Sequence, residues 1–371
     1  WAGGSGTSGD TPLPRHGDFL WQYPADQAGE SGIAVVAAAP ALIGDAVIVP
    51  LANDKRKGLA CLPGTADETP DERWFHSTEN GVVLPPAALG TVSGDIDRVF
   101  VVDGRTGDQG RRLHCLDGSG KTLWRRPVAP EAGGHLLLRR GALIVNDRRD
   151  VLSCISLEGK TLWSSNVENP GFAAISEQGM LIVAVVSANA AESHQLIALD
   201  EETGKQLWHN RLDARVTTQP VVAAGSILVG TTEGCSRRSL IDGSAMAALI
   251  TPAVIGNLLV DRSRVGGPRV WFGTTDGTLR VVDIETWRPL AGTQLGVNSG
   301  GLIKVRDRII AAGDEKYYVV TFTAEGNEID AEAWLDDVSW LGRPVAPFSS
   351  ADGRLWVPAQ GWGIMCLGGT P

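Results

Sequence analysis

Histidine and cysteine are the residues that could carry nucleophilic, acid–base or metal chemistry here. The chain has six of the first (His16, His76, His114, His135, His194, His209) and five of the second (Cys61, Cys115, Cys154, Cys235, Cys366). A sequence shows such chemistry directly where these residues recur at short, regular spacings. Zinc proteases place two histidines one helical turn apart in H-E-x-x-H, and structural zinc or redox sites use C-x-x-C. Neither spacing occurs, nor does the G-x-S-x-G of a serine hydrolase, a phosphate-cradling P-loop or a C-x-x-C-H haem site. "DGRTGDQGRR", residues 103–112, has the Asp and Gly of a calcium loop. It lacks the spaced acidic set and the closing Glu, so a solvated hairpin is the better reading. No catalytic residue, metal ligand or cofactor site is therefore expected.

The surrounding elements are more informative. "LIALDEETGKQLWHNRL" (196–212) has near-copies in "LHCLDGSGKTLWRRPV" from Leu113 and "LSCISLEGKTLWSSNV" from Leu152. Trp74, Trp124, Trp163 and Trp208 close successive copies at spacings of 50, 39 and 45 residues. Trp287 and Trp334 continue the series, after a degenerate copy, "SLIDGSAMAAL", with small residues where Trp is expected. Each copy contains short Val-, Ile-, Leu- and Thr-rich runs bounded by Gly, Asp and Asn, which are strand and hairpin signals. Four antiparallel strands at this period make a propeller blade.

The two ends complete the count. The chain finishes "WGIMCLGGTP", a third strand and turn without a fourth strand. "GDFLWQYPAD" near the N-terminus supplies one, with Trp21 at the Trp position. The expected fold is all-β, an eight-bladed β-propeller of four-stranded antiparallel blades, with the N-terminal strand closing the last blade. Closure removes an exposed sheet edge. The boundaries expected are a flexible Gly/Ser-rich lead-in at 1–14, then one domain over 15–371. Its blades fall near 25–77, 78–128, 129–167, 168–212, 213–249, 250–294 and 295–335, the last formed by 336–371 with 15–24. Trp21, Trp74, Trp124, Trp163, Trp208, Trp287 and Trp334 are assigned to docking between blades, where a large ring can bury roughly 150–250 Å². Cys61, Cys115, Cys154 and Cys366 fall where Ala198 stands in its copy, and read as small buried side chains, too far apart to form disulfides.

The repeated A-L-D-x-x-T-G-K-x-L-W resembles the PQQ-like repeat of quinoprotein alcohol dehydrogenases and BamB-type outer-membrane assembly lipoproteins. The resemblance covers nearly the whole chain after residue 15. It implies an eight-bladed propeller with Trp docking between blades, and an extracytoplasmic setting, periplasmic or on a bacterial cell surface. It is WD40-like in repeat logic and does not fix function. In quinoprotein dehydrogenases it implies two adjacent cysteines above the cofactor and acidic and amide ligands to Ca²⁺. No Cys-Cys pair is present here.

Composition narrows the partners. The net charge is −10, which argues against sequence-independent nucleic-acid binding. The most membrane-like stretch, 32–52, carries Pro40, Asp45 and Pro50, and reads as two strands around Gly44-Asp45, so no membrane insertion is expected. The chain begins with Trp1 rather than Met, which suggests that an upstream region was removed. Residues 105–149 carry ten basic and four acidic side chains against the acidic remainder. Expected partner-binding residues are His135, Gln219, Asn298 and Arg343 around the channel, Trp340 outside the docking register, and the basic Arg111, Arg112, Arg148 and Arg149. Arg125 and Arg126 belong to the same basic group. The reading is a non-catalytic, monomeric scaffold presenting inter-blade loops to a protein or glycan, with envelope protein assembly as one role. A PQQ-dependent dehydrogenase-like quinoprotein is the alternative.

Overall fold

The structure is a computed structural model. It describes residues 18–23, 38–52, 56–65, 68, 70–82, 84–91, 94–104, 110–128, 136–139, 141–148, 150–168, 170–176, 178–185, 194–262, 267–305, 308–314, 316–323, 328–335, 349–351, 353–359 and 363–368. All 32 elements among them are strands.

Strand β1 is Asp18–Tyr23. Blade 1 is β2 (Ala41–Ile43), β3 (Ala46–Ala52), β4 (Lys57–Pro63) and β5 (Trp74–Ser77). Blade 2 is β6 (Ala87–Gly90), β7 (Ile96–Val102), β8 (Arg112–Asp117) and β9 (Thr122–Pro127). Blade 3 is β10 (Leu137–Arg139), β11 (Ala142–Arg148), β12 (Val151–Ser156) and β13 (Thr161–Asn166). Blade 4 is β14 (Pro170–Ile175), β15 (Met180–Val185), β16 (His194–Asp200) and β17 (Gln206–Leu212). Blade 5 is β18 (Val221–Ala223), β19 (Ser226–Thr231), β20 (Gly234–Ser239) and β21 (Ala245–Ile250). Blade 6 is β22 (Val254–Asp261), β23 (Arg269–Thr274), β24 (Thr278–Asp283) and β25 (Pro289–Gln294). Blade 7 is β26 (Val297–Val305), β27 (Arg308–Gly313), β28 (Tyr317–Thr323) and β29 (Glu328–Leu335). Blade 8 is β30 (Ser349–Ala351), β31 (Arg354–Ala359), β32 (Gly363–Gly368) and β1, in the order β1-β32-β31-β30.

The ring closes as the sequence predicted. β1 pairs antiparallel with β32, and Trp21 stands opposite Cys366. The segment around Gly44-Asp45 is the hairpin β2–β3. In most blades the second and third strands are the most buried because both faces meet neighbouring blades. β3, β19, β23 and β32 are almost wholly inaccessible. The core is a ring of apolar clusters between sheets, such as Leu196, Ala198, Ile227 and Val229 between blades 4 and 5.

The repeated turn has a local cause. Asp200 Oδ1 accepts the amide of Thr203 at 2.8 Å, and Asp117 Oδ1 accepts that of Ser119 at 2.9 Å. A carboxylate so held fixes the turn and stays ionised. Gly204 takes φ +69°, and a Cβ there would lie 2.4 Å from the Trp163 ring. Glycine is thus required both to reverse the chain and to admit the neighbouring indole.

Register separates the tryptophans into two groups. Trp74, Trp124, Trp163 and Trp208 stand opposite Cys61, Cys115, Cys154 and Ala198. Trp74, Trp124 and Trp163 donate Nε1–H to the next blade's turn, at Gly118 O (2.9 Å), Leu157 O (2.7 Å) and Glu201 O (2.9 Å). Trp208 lies against the place of Gly243 in blade 5. Trp21 joins the buried cluster of blades 8 and 1.

Trp287 and Trp334 do not dock in this way. Trp287 stands four residues after Asp283, where Gly204 stands after Asp200, and its amide bonds Asp283 O as Gly204's bonds Asp200 O. It takes the glycine's left-handed conformation, φ +58°. Ala291, opposite Val281, holds the docking position of blade 6, and Ala247, opposite Arg237, that of blade 5. In blade 7 the position falls on Asp330, opposite Thr321. Trp334 enters the cluster shared by blades 7 and 8 four residues later. Even spacing in sequence had hidden a change of register.

Candidate functional site

The polar loop end of blades 1 and 2 is the best-defined candidate. β7 ends at Val102 and β8 starts at Arg112. Asp103, fully buried, takes the Arg112 amide on Oδ1 at 2.6 Å, while its carbonyl accepts Arg111 Nε at 3.1 Å. Its Oδ2 lies 3.4 Å from His114 Nε2 in β8, an approach without an aligned hydrogen bond. His114 Nδ1 in turn lies 3.4 Å from Nε2 of His76 in β5. A carboxylate and two imidazoles therefore run from the interior of blade 2 to the half-buried outer strand of blade 1. Burial, and then the neighbouring His114, hold His76 below the ordinary histidine range, so it is neutral at pH 7. Neither histidine bonds a serine or cysteine among the described residues. The array can hold and orient protons.

Beside it, Arg112 pairs with Glu79 at 2.9 Å. At the seam where β1 meets blade 1, Arg56 grips the Glu72 carboxylate, with Nη2 to Oε2 at 2.8 Å, and Tyr23 donates to Glu72 Oε1 at 2.8 Å. The guanidinium also lies 4.2 Å above the Phe75 ring. Arg56 holds Glu72 below the usual carboxylate range, while burial and Glu72 raise the Tyr23 phenol. This face carries both charge signs, largely paired among themselves.

All five cysteines are buried and none is in a disulfide. Burial pushes Cys61, Cys115 and Cys154 up to about 11 and Cys235 to about 12, so they are thiols rather than reactive thiolates. Among the described residues no cluster of His, Cys, Asp and Glu could hold a metal ion, and no helix is long and apolar enough to cross a membrane.

A family profile described as outer membrane protein assembly factor BamB matches residues 68–188 and 148–337, most of the ring. The chain belongs to the BamB family. No curated protein matches it in sequence. Among solved structures, BamB from Moraxella catarrhalis is similar at 14% identity, over 95% of this chain and 97% of that one, with a TM-score of 0.64. Sqt1 from Saccharomyces cerevisiae is similar at 13% identity over 96% and 100%, with a TM-score of 0.69. A computationally designed protein, Ika8, gives 12% over 94% and 99%, with a TM-score of 0.65. At these identities the likeness is one of fold.

On this BamB-type ring the expected partner residues scatter. Gln219 is half-buried and donates Nε2–H to Ala173 O in β14 at 2.7 Å, a strut between blades 4 and 5. Arg111 is only 1% exposed, so the basic surface loses it. Arg112 opens β8 and is paired as described. Arg125 and Arg126 lie near the end of the outer strand β9. Asn298 lies in β26 and Arg148 in β11, with side chains outside the described residues. His135, Arg149, Trp340 and Arg343 also lie outside the described residues. The Asp103–His114–His76 chain was not foreseen. Its only sequence signal is a histidine two residues after a docking Trp and another just before a register cysteine.

Proposed function

We propose that this chain is a non-catalytic binding scaffold whose loop face engages a protein or glycan partner in assembly at a bacterial envelope, in the periplasm or at the cell surface. One observation carries the reading: the match of residues 68–337 to a family described as an outer-membrane assembly factor. The loop end of blades 1 and 2 supports it. Its mixed, partly buried charges can set the orientation of a partner, as complementary rims do. Trp340 and Arg343 are the aromatic and basic anchors proposed for that face, the residue types enriched at binding hot spots.

A thermal-shift titration with pyrroloquinoline quinone and Ca²⁺ tests the non-catalytic half of this reading. A ligand that binds only the folded state raises the melting temperature by mass action. No shift is expected, and a saturable rise of several degrees overturns the reading in favour of a quinoprotein. Affinity capture from an envelope extract tests the other half. A species held by the wild type and lost with Trp340→Ala and Arg343→Ala is expected, and equal capture by both variants removes the face from consideration.

A further inference from the structure

The eight outer strands each leave one row of backbone N–H and C=O groups at the edge of a blade, and folded proteins guard such edges with charge, proline or polar side chains. Seven are guarded. β5 (WFHS) has a histidine, β9 (TLWRRP) two arginines and a proline, and β13 (TLWSSN) two serines and an asparagine. β17 (QLWHNRL) has an arginine, β25 (PLAGTQ) a proline and two polar residues, β29 (EIDAEAWL) three acids, and β1 (DFLWQY) an aspartate. β21 is AMAALI, without a charge, hydroxyl, amide or proline. It ends its sheet, paired with β20 alone. Met246, Ala248 and Ile250 share its exposed face, with Ile250 86% and Met246 52% accessible. The hairpin leading into it adds Ile241, also 86% accessible.

We infer that β21 is a homodimer contact, at which two copies of this chain pair their β21 strands antiparallel about a two-fold axis through Ala248. Three features favour a second copy over a foreign strand. The first is symmetry of the sequence. A two-fold axis normal to the sheet keeps each face on its own side, so paired residues must be an even number apart. Centring on Ala248 sets Met246 opposite Ile250 twice, Ala248 opposite Ala248, and Ala247 opposite Leu249. The exposed face reads large–small–large in both directions, a property that matters only to self-pairing. Centring on Ala247 instead would set Met246 against Ala248 and leave Ile250 unmatched. The second feature is charge. Copies carrying −10 each repel, and they meet at least cost where the surface is neutral. The neighbouring outer strand, β25, is also uncharged along its length, with exposed charges standing in the hairpins, Asp242 before β21 and Glu285 and Arg288 before β25. The third is shape. An edge on the convex rim of a ring can meet another rim without the blades colliding, giving one continuous sheet of two blades.

Two measurements on the full chain decide the matter. Light scattering across a wide concentration range should show the mass rising to twice that of one chain, and Ile250→Lys and Met246→Lys should abolish the rise with unchanged melting curves. Under mild oxidation Ala248→Cys should form a covalent dimer, because directly opposed residues in an antiparallel pair lie within disulfide reach. The native cysteines are all buried and do not compete. Leu162→Cys, on the exposed outer strand β13, is the control and should stay monomeric. A constant monomer mass, cross-linking no stronger than the control, or growth beyond two copies would each overturn the proposal, the last by showing an open rather than two-fold contact.

Discussion

Blades 8, 1, 2, 3 and 4 form one arc of the ring, and blades 5, 6 and 7 the other. The first arc is joined by a single device used five times. A Trp at the docking position of the outer strand packs against the next blade: Trp74, Trp124, Trp163 and Trp208 on its turn, as Trp163 does on Gly204 and Glu201, and Trp21 on the apolar cluster of blade 1. The second arc holds Ala247, Ala291 and Asp330 at that position. Its joints are made of different parts. Arg237 Nη1 donates to Glu285 O across blades 5 and 6 at 2.7 Å. Asn257 exchanges two hydrogen bonds with the Leu302 backbone across blades 6 and 7, at 2.9 and 2.8 Å. Lys304 pairs with Asp261 across the same joint. Trp271 and Phe322 meet edge to face with centroids 6.4 Å apart, and Arg269 lies 4.3 Å over Phe322. A ring needs each joint filled and its polar groups satisfied, but not by the same residues. The docking Trp is one solution, and apolar burial inward plus polar struts is another.

The largest effect should come from the first arc. Trp163→Ala empties a buried inter-blade site and strands the Glu201 carbonyl, and should cost about 3–5 kcal/mol in denaturant unfolding. A cost under about 1 kcal/mol would mean that docking is not what holds these blades.

The second arc makes the matching prediction. Asn257→Ala removes both bonds to Leu302 and leaves its amide and carbonyl unpaired in the interior. Buried groups left without partners cost about 1–3 kcal/mol each, of which local relaxation recovers part. We expect a loss of about 2–3 kcal/mol, while Asn210→Ala, on the exposed rim and bonded to Asp242 O, should cost under about 0.5 kcal/mol. Equal losses for the two would erase the contrast between buried strut and surface bond.

This contrast also explains what the sequence could and could not show. The fold was legible because the motif states its own period. Asp, Gly and Trp recur for backbone reasons, and a strand of four alternating apolar residues looks alike in every blade. The closure was legible because one end lacked what the other supplied. The second arc was misread where motif and period parted. Trp287 lies at the right distance from its neighbours, yet four residues before the docking position, because the Gly of its turn has been replaced and nothing in the spacing registers that. The candidate site was the least legible. Its Asp103–His114–His76 chain joins a loop residue after β7 to residues on β8 and on β5 of the neighbouring blade, a proximity created by the ring and not by any short spacing. Arg111 failed as a surface residue for a related reason, since position in a loop does not reveal that its side chain turns inward.

The smallest effect tests the joint between the arcs most closely. Blades 5 and 6 have exchanged the two halves of the docking device: Ala247 stands where Trp is usual, and Trp287 where Gly is usual. Trp287 packs beside the cluster of Cys235, Leu258 and Phe272, filling from blade 6 the joint that its counterparts fill from the preceding blade. It does so in a left-handed conformation that costs a non-glycine residue about 1–2 kcal/mol. Trp287→Gly alone relieves that strain but empties the joint. Ala247→Trp alone forces two indoles toward one space. Together they rebuild the arrangement of the first arc, with the Ile284 carbonyl placed as Gly118, Leu157 and Glu201 are. The two changes should therefore be non-additive, the double variant being more stable than the sum of the singles predicts by about 1 kcal/mol or more, within the range of contacting pairs. Additive effects in the same unfolding measurements would mean that Trp287 and Ala247 do not share a joint, and that the second arc is built independently of the docking device rather than as its exchanged form.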